Sequence, residues 1–114
     1  MGKDISSVSK HASSINNVSK VLSVDNELYS NVLAEDISEL IVQLGKSYTH
    51  IIAPSSNNGK NFIPRSAAIL VSSPLSEVMS VVDHETFQRP MYAGNAIATV
   101  KMTNPIKVSS ILFI

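Results

Sequence analysis

Aliphatic residues in the middle of the chain recur at the spacing of an amphipathic helix. Intervals of four, three, one and three positions separate Leu33, Ile37, Leu40, Ile41 and Leu44. This spacing places all five on one face of a helix. Acidic side chains in the N-terminal half of the segment complement the helix dipole. The pattern predicts a helix over 33–44 that ends near Gly45.

Two short apolar runs flank this helix. Residues 20–24 read Lys-Val-Leu-Ser-Val and precede a turn-forming Asp-Asn pair, and residues 49–53 read Thr-His-Ile-Ile-Ala. Both runs predict strands. The second run does not alternate apolar with polar residues, which is typical of a parallel strand buried on both faces.

Helical spacing returns after a polar loop over residues 54–60. The apolar residues that follow the loop are Ile63, Ala67, Leu70 and Val71. They predict a second helix with Pro64 in its first turn, where the missing N–H costs little. Strand, helix, strand and helix in this order predict an α/β layer structure.

Beyond Pro74 the pattern changes to strands. The runs 77–82, 87–91, 96–102 and 107–113 predict strands joined by short polar links, with a turn or bulge at 93–95. The first nineteen residues are rich in serine and asparagine, and they predict only a weak helical lead-in.

The composition fits one small domain and excludes several classes of protein. The chain has 114 residues, 44% hydrophobic and 16% charged, so it can bury a core. Nine basic and nine acidic residues give no net charge, which argues against nucleic-acid binding. Without cysteine, disulfides, zinc ribbons and thiol nucleophiles are excluded. The three histidines lack ligand spacing and predict no metal site. The longest apolar runs are too short for a spanning helix, which predicts no membrane insertion.

The polar loop before the second helix is the candidate binding site. The residues concerned are Ser55, Ser56, Gly59, Lys60 and Asn61. They follow a predicted buried strand and open a helix, the position where open α/β sheets bind ligands. Backbone N–H groups there, with the lysine beside them, could hold an anion such as the phosphate of an adenylate. One glycine before one lysine is neither a P-loop nor a dinucleotide fingerprint. The alternative is a loop that caps a helix and meets a neighbouring subunit.

No catalytic residue is predicted. An S-x-x-K pattern at 7–10 lacks the companion motifs of the enzymes that use it. Arg65, five residues beyond Lys60, is predicted to form an ion pair with an acidic group such as Glu77 or Asp83. An ion pair accounts for the arginine without any catalysis.

Around the polar loop the chain resembles the electron transfer flavoprotein alpha subunit. The likeness is carried by Ala-Pro-Ser-Ser at 53–56, Gly-Lys-Asn-Phe-Ile-Pro-Arg at 59–65 and Ala-Ala at 67–68. It continues over 83–101, which includes Arg-Pro-Met-Tyr-Ala-Gly-Asn-Ala-Ile-Ala-Thr-Val-Lys, and it covers roughly residues 16–110.

The resemblance implies a fold and a function. The family's N-terminal domain is Rossmann-like, a three-layer fold related to adenine-nucleotide hydrolases, with a mainly parallel sheet. The alpha subunit pairs with a beta subunit and holds one FAD. The FAD carries electrons from acyl-CoA and related dehydrogenases to a membrane quinone oxidoreductase of the respiratory chain. The resemblance therefore implies an electron-carrier subunit and not an enzyme, in the mitochondrial matrix of a eukaryote or the cytoplasm of a bacterium.

Departures from the family pattern limit what can be carried over. Residues 1–19 are expected to be a lead-in and 20–114 a partial N-terminal domain that lacks the first strand, helix and strand. The C-terminal FAD-binding domain is expected to be absent, so no FAD-contacting residue is assigned and the chain alone is not expected to bind FAD tightly. Asn57 and Asn58 replace the small and aromatic residues usual before the loop glycine. Two alternatives stay open: a stand-alone adenylate-binding module and a non-functional truncated remnant.

Overall fold

The computed structural model describes residues 1–31 and 33–112. Its elements in chain order are α1 (Ser6–Ser13), a 3₁₀ turn (Glu27–Tyr29), α2 (Ala34–Gly45), β1 (His50–Pro54), α3 (Asn57–Ile69), β2 (Leu75–Val78), β3 (Ser80–Val81), β4 (Thr86–Met91), a second 3₁₀ turn (Tyr92–Gly94), β5 (Ala96–Lys101) and β6 (Lys107–Ile111). Within the described residues, none of the helices has the length and hydropathy needed to cross a membrane.

The helices pack on a parallel sheet of three strands, in the order β1-β6-β2. The central strand β6 runs in register with β1, from His50 opposite Lys107 to Pro54 opposite Ile111. Ile63 and Ala67 of α3 join β1 and β6 in a buried cluster, and α2 packs against α3. The last strand in sequence thus joins two strands that are not bonded to each other.

A small antiparallel sheet, in the order β3-β4-β5, lies beside β2. The two sheets share a second buried cluster of Leu75 and Val78 from β2, Phe87 from β4 and Met102. The α/β class predicted from the sequence is confirmed, with a parallel sheet and a small antiparallel one.

Several predicted elements are confirmed closely. The strongly periodic helix predicted over 33–44 is α2, displaced by one residue, and the apolar run 49–53 is β1. The predicted strands at 87–91 and 96–102 are β4 and β5. The weak lead-in helix is α1, and none of its residues is buried.

The strand predicted over residues 20–24 is wrong. The N-terminal residues use the backbone groups of this region: Gly2 N–H donates to the Val24 carbonyl at 3.1 Å, and Asn26 N–H donates to the Gly2 carbonyl at 2.8 Å. An isolated bridge between Gly2 and Asp25 replaces the expected ladder.

The prediction that β1 is buried on both faces is also wrong, at Ile52. Ala53 is buried against α3, whereas Ile52 on the opposite face is 53% exposed. Among the described residues, β1 pairs only with β6, so its other edge carries no strand. The sequence of β1 therefore does not alternate apolar with polar residues, although one face of the strand is open to solvent.

Helix α3 begins earlier than predicted, and the polar loop is correspondingly short. Ser56 caps the helix, so Asn57 is its first residue and Pro64 is its eighth. Pro64 therefore lies in the helix interior, where it removes a hydrogen bond to the Lys60 carbonyl.

The strand predicted over 77–82 is divided into β2 and β3. Leu75 faces Ser109 and Val78 faces Ile111, so β2 carries one more residue than β6 over this span. Glu77, at φ 59°, lies in this bulge. The chain then leaves the parallel sheet and enters the antiparallel one. The strand predicted over 107–113 is β6, and the end of that prediction, from Phe113, lies outside the described residues.

Candidate functional site

The polar loop lies at the carboxyl edge of the parallel sheet. Strands β1, β2 and β6 all end there, at Pro54, Val78 and Ile111, because the three run parallel. Ser55 follows β1 directly, and α3 begins two residues later. This is the edge where open α/β sheets bind ligands, so the predicted placement of the loop is confirmed.

Ser55 extends the hydrogen bonds of the sheet. Its backbone N–H donates to the Ile111 carbonyl at 2.8 Å. Its hydroxyl donates to the hydroxyl oxygen of Ser110 at 2.9 Å. The backbone N–H and the hydroxyl of Ser55 are therefore both bonded to β6.

Ser56 caps helix α3. Its backbone is extended, at φ −82° and ψ 169°, and its hydroxyl oxygen accepts the Gly59 N–H at 3.1 Å. The Lys60 N–H donates to the Ser56 carbonyl at 2.9 Å. A serine at this position satisfies a backbone donor that the first helical turn otherwise leaves without a partner.

Gly59 is buried where α3 crosses the end of β1. A Cβ built on this residue would overlap the carbonyl oxygen of Pro54. That oxygen belongs to the backbone and cannot rotate away. Only glycine therefore fits at this crossing.

Lys60 reaches back to the bulge in β2. Its ammonium group lies 2.8 Å from the Glu77 carboxylate, and both side chains are partly exposed. The hydrogen bond and charge of Lys60 lower the pKa of Glu77 below its ordinary value. This pair ties the first turn of α3 to β2.

Ser110 connects the loop after β1 to the bulge in β2, and the sequence analysis did not single it out. It lies in the central strand, 2% exposed, and its hydroxyl oxygen accepts both the Ser55 hydroxyl and, at 3.1 Å, the Glu77 N–H. The bulge removes Glu77 from the regular ladder, and the Ser110 hydroxyl supplies an acceptor for its N–H. A serine inside an apolar run is the only sequence signal of this role.

The structure brings four of the five predicted site residues into one network with Glu77 and Ser110. Asn61 is exposed, and its side chain makes no hydrogen bond within the described residues. Because Ser55, Ser56 and Lys60 bond to their own chain, the arrangement favours the alternative of a loop that caps a helix. Anion or adenylate binding by this loop stays a prediction.

The predicted ion pair of Arg65 is wrong. Lys60 holds Glu77, and the Asp83 carboxylate accepts the backbone N–H groups of Glu85 and Thr86, each at 2.8 Å. These hydrogen bonds, that from Glu85 first, lower the pKa of Asp83. Five residues along a helix turn a side chain to a different face, so Arg65 instead lines a shallow cavity beside acidic residues of α2.

His50 connects the two sheets. Its Nε2 lies 2.7 Å from the His84 carbonyl, its Nδ1 lies 2.8 Å from the Thr49 hydroxyl, and its ring faces Phe87 at 6.3 Å between centroids. In the described part of the chain, no three histidine, aspartate or glutamate side chains gather as a metal site would require.

Comparison with known proteins assigns the chain to a family. The family model of the electron transfer flavoprotein domain matches residues 1–112 of the sequence. This span is wider than residues 16–110, over which the resemblance was noted. The chain is 46% identical to the electron transfer flavoprotein subunit alpha of Pseudomonas aeruginosa, over 96% of this chain and 36% of that protein. It is 46% identical to the mitochondrial electron transfer flavoprotein subunit alpha of Dictyostelium discoideum, over 96% of this chain and 33% of that protein. It is 43% identical to the electron transfer flavoprotein subunit alpha of Paracoccus denitrificans, over 96% of this chain and 36% of that protein. The chain therefore spans about a third of the length of these relatives. The resemblance is confirmed, and the chain belongs to the electron transfer flavoprotein domain family, whose fold is Rossmann-like.

Proposed function

We propose that this chain is part of an electron transfer flavoprotein alpha subunit and works in a heterodimer with a beta subunit. The observation that carries this is the 46% identity to alpha subunits across 96% of the chain. In this proposal the assembly carries electrons from acyl-CoA and other dehydrogenases to a quinone oxidoreductase. The chain itself transforms no substrate. Its compartment is the mitochondrial matrix or the bacterial cytoplasm, in line with the mitochondrial and bacterial relatives.

The contribution of this chain to the assembly is structural. The crossing of Gly59 over Pro54, the Ser56 cap and the Lys60–Glu77 pair connect α3 to the sheet. A rigid α/β layer supplies a scaffold against which another subunit can dock. FAD, which accepts and releases the electrons when bound, is proposed to be held outside this chain, in the second domain of the parent alpha subunit. The internal bonding of Ser55, Ser56 and Lys60 supports that assignment, because these are the polar groups at the ligand-binding edge.

Reconstitution from separate pieces tests the proposal. The chain is co-expressed with a beta subunit, with and without the C-terminal part of an alpha subunit on its own polypeptide. Native purification is followed by visible absorbance and intact mass. The three-piece complex is expected to be yellow and to contain all three polypeptides, whereas the two-piece complex is expected to be colourless. A chain that purifies without the beta subunit in both cases overturns the proposal.

A stand-alone adenylate-binding module is the second candidate function. The observation in its favour is the position of the polar loop at the carboxyl edge of the parallel strands, before α3. Calorimetric titration of the chain with AMP tests it. Saturable binding that Lys60→Met weakens and Lys101→Met does not would support it. Absence of binding to AMP and to the beta subunit would leave the truncated remnant.

A further inference from the structure

The first turn of α3 contains the only Asn-Gly dipeptide of the sequence, Asn58-Gly59. An asparagine before a glycine is prone to spontaneous deamidation, because the glycine backbone adapts easily and leaves its nitrogen free to approach the asparagine side chain. The Asn58 side chain is exposed and makes no hydrogen bond within the described residues. The groups that take part in deamidation therefore lie together at the start of the helix, in contact with water.

Deamidation at this dipeptide needs water and no other reactant. The backbone nitrogen of Gly59 gives up its proton to water or hydroxide and attacks Cγ of the Asn58 side chain. The new C–N bond closes a succinimide ring, the bond from Cγ to the side-chain nitrogen breaks, and ammonia leaves. Water then opens the ring at either carbonyl and gives aspartate or isoaspartate. The net reaction consumes one water and releases one ammonia, without oxidation or reduction.

The fold holds the attacking nitrogen away from Cγ. The Gly59 N–H donates to the Ser56 hydroxyl oxygen at 3.1 Å, so its proton is already bonded. Side chains in a helix are tilted toward the N-terminus, and hence away from the nitrogen of the following residue. Ring closure therefore requires Asn58 to leave the helical conformation and Gly59 to leave the Ser56 cap.

The packing of Gly59 opposes the same movement. Gly59 is buried, and a Cβ on it would overlap the carbonyl oxygen of Pro54. The crossing of α3 over β1 thus requires the glycine that makes the dipeptide reactive, and it also leaves the dipeptide little space to rearrange. Deamidation of the folded chain therefore depends on local opening of the first turn of α3.

We propose that Asn58 is a deamidation site that the Ser56 cap protects in the folded chain and that reacts when the first turn of α3 opens. Isoaspartate at this position adds one methylene group to the main chain before Gly59. The longer main chain displaces Gly59 from its place against Pro54, so a transient opening becomes a permanent change. The proposal goes beyond the proposed heterodimer and does not depend on it.

Deamidation rates across a denaturant series test the proposal. The chain is incubated at mildly alkaline pH with increasing guanidinium chloride, and circular dichroism records the unfolding transition. Tandem mass spectrometry of the tryptic peptide that ends at Lys60 gives the converted fraction of each asparagine. Its fragment ions distinguish aspartate from isoaspartate. Asn57, which precedes another asparagine in the same peptide, is the internal reference.

Three variants separate the cap from the reacting group. Ser56→Ala removes the acceptor of the Gly59 N–H. Ser55→Ala is the matched control, because the Ser55 hydroxyl bonds to Ser110 and not to the start of the helix. Asn58→Gln lengthens the side chain, so that the smallest ring it can close is larger and forms far more slowly.

In the unmodified chain, conversion of Asn58 is expected to be slow below the unfolding transition and to rise with the unfolded fraction. Ser56→Ala is expected to speed conversion in native buffer by about fivefold, the factor that matches the usual loss of an N-cap serine. It is expected to leave the rate in denaturant unchanged. Ser55→Ala is expected to leave the native rate unchanged, and Asn58→Gln to abolish conversion at this position.

A conversion rate of Asn58 that does not depend on denaturant overturns protection by the fold. Equal native rates in Ser56→Ala and Ser55→Ala overturn the role of the cap. Conversion of Asn57 in denaturant as fast as that of Asn58 overturns the assignment of the site. Each of these outcomes leaves the proposed heterodimer standing.

Discussion

The backbone of Gly59 lies directly against the carbonyl oxygen of Pro54, so that helix α3 meets strand β1 with no space for a Cβ. Gly59→Ala is therefore expected to push the helix away from the sheet and to lower the free energy of unfolding by about 1–3 kcal/mol, the usual cost of overpacking. Urea denaturation measures the loss.

Asn58→Ala is the control for that substitution. Asn58 precedes the glycine in the first turn of α3 and is exposed. A change within about 0.5 kcal/mol is expected there, as for most surface positions. Equal stability of Gly59→Ala and the unmodified chain would show that α3 and β1 do not approach as closely as described.

Ser110→Ala is expected to destabilise the fold by about 1–3 kcal/mol. The substitution leaves the Glu77 N–H and the Ser55 hydroxyl without their acceptor in a buried position. Ser109→Ala is the matched control, because Ser109 is equally buried and its side chain makes no hydrogen bond within the described residues. A loss no larger for Ser110→Ala than for Ser109→Ala would contradict the role of the Ser110 hydroxyl.

Lys60→Met is expected to raise the pKa of Glu77 toward its ordinary value of 4.5, because the lysine hydrogen bond and charge cause the depression. A titration of the Glu77 carboxyl followed by NMR measures the change, and Lys101→Met is expected to leave that pKa unaltered. An unchanged Glu77 pKa in Lys60→Met would mean that the ion pair does not form in solution.

The Lys60–Glu77 pair also implies a pH dependence of stability. Since the folded-state pKa of Glu77 lies below the unfolded value, the pair stabilises the fold above pH 4.5, and this contribution is lost as pH falls through the folded-state pKa. The decline in the free energy of unfolding as pH falls is expected to be shallower in Glu77→Gln than in the unmodified chain. It is also expected to be smaller at high salt, because the pair is partly exposed.

Asp83→Ala is expected to destabilise the turn between β3 and β4 more than Asp83→Asn does. The carboxylate accepts the N–H groups of Glu85 and Thr86, and an amide oxygen can still accept them whereas a methyl group cannot. Melting temperatures from thermal unfolding at pH 7 rank the variants by stability. Identical melting temperatures for the two would show that the turn does not depend on these hydrogen bonds.

The isolated chain is expected to aggregate or to melt below about 55 °C, in the lower part of the usual range for complete domains. Ile52, Leu22 and Tyr48 are exposed by 53%, 45% and 47% near the open edge of β1. Ile52→Thr is expected to reduce aggregation measured by light scattering, whereas Ile69→Thr is not. A reversible, cooperative melt of the monomer well above that temperature would overturn the expectation.

The sequence predicted the elements whose apolar residues are strongly periodic or continuous. Helix α2 and strand β1 each lie one residue from their predicted positions, since a sustained helical period and a continuous apolar run are strong local signals. The strand over residues 20–24 was wrong because a local apolar run cannot show whether a partner strand is available. In the structure, the backbone of Gly2 instead forms hydrogen bonds with the Val24 carbonyl and the Asn26 N–H.

The location of the candidate site was predicted from the sequence, but the hydrogen bonds of its residues were not. The polar loop was predicted at the carboxyl edge of the parallel sheet, and the structure confirms that position, although α3 begins at Asn57, earlier than predicted. The bulge at Glu77 and the buried hydroxyl of Ser110 were missed, because a left-handed glutamate and a serine acceptor depend on the register of β2 against β6. Register between strands more than thirty residues apart has no local sequence pattern.

The position of β6 has a consequence for synthesis of the chain. Among the described residues, strands β1 and β2 are joined only through β6, which follows both of them in the chain. Until Lys107–Ile111 has emerged, β1 and β2 have no partner strand among the described residues, and Ala53 lacks Val108, its neighbour in the buried cluster. Nascent chains at this stage expose unpaired strand edges, the state in which proteins recruit chaperones or aggregate. Ribosome-bound intermediates that end before Lys107 should therefore remain sensitive to protease throughout β1 and β2, and the sheet should become protected in a single step once β6 is released.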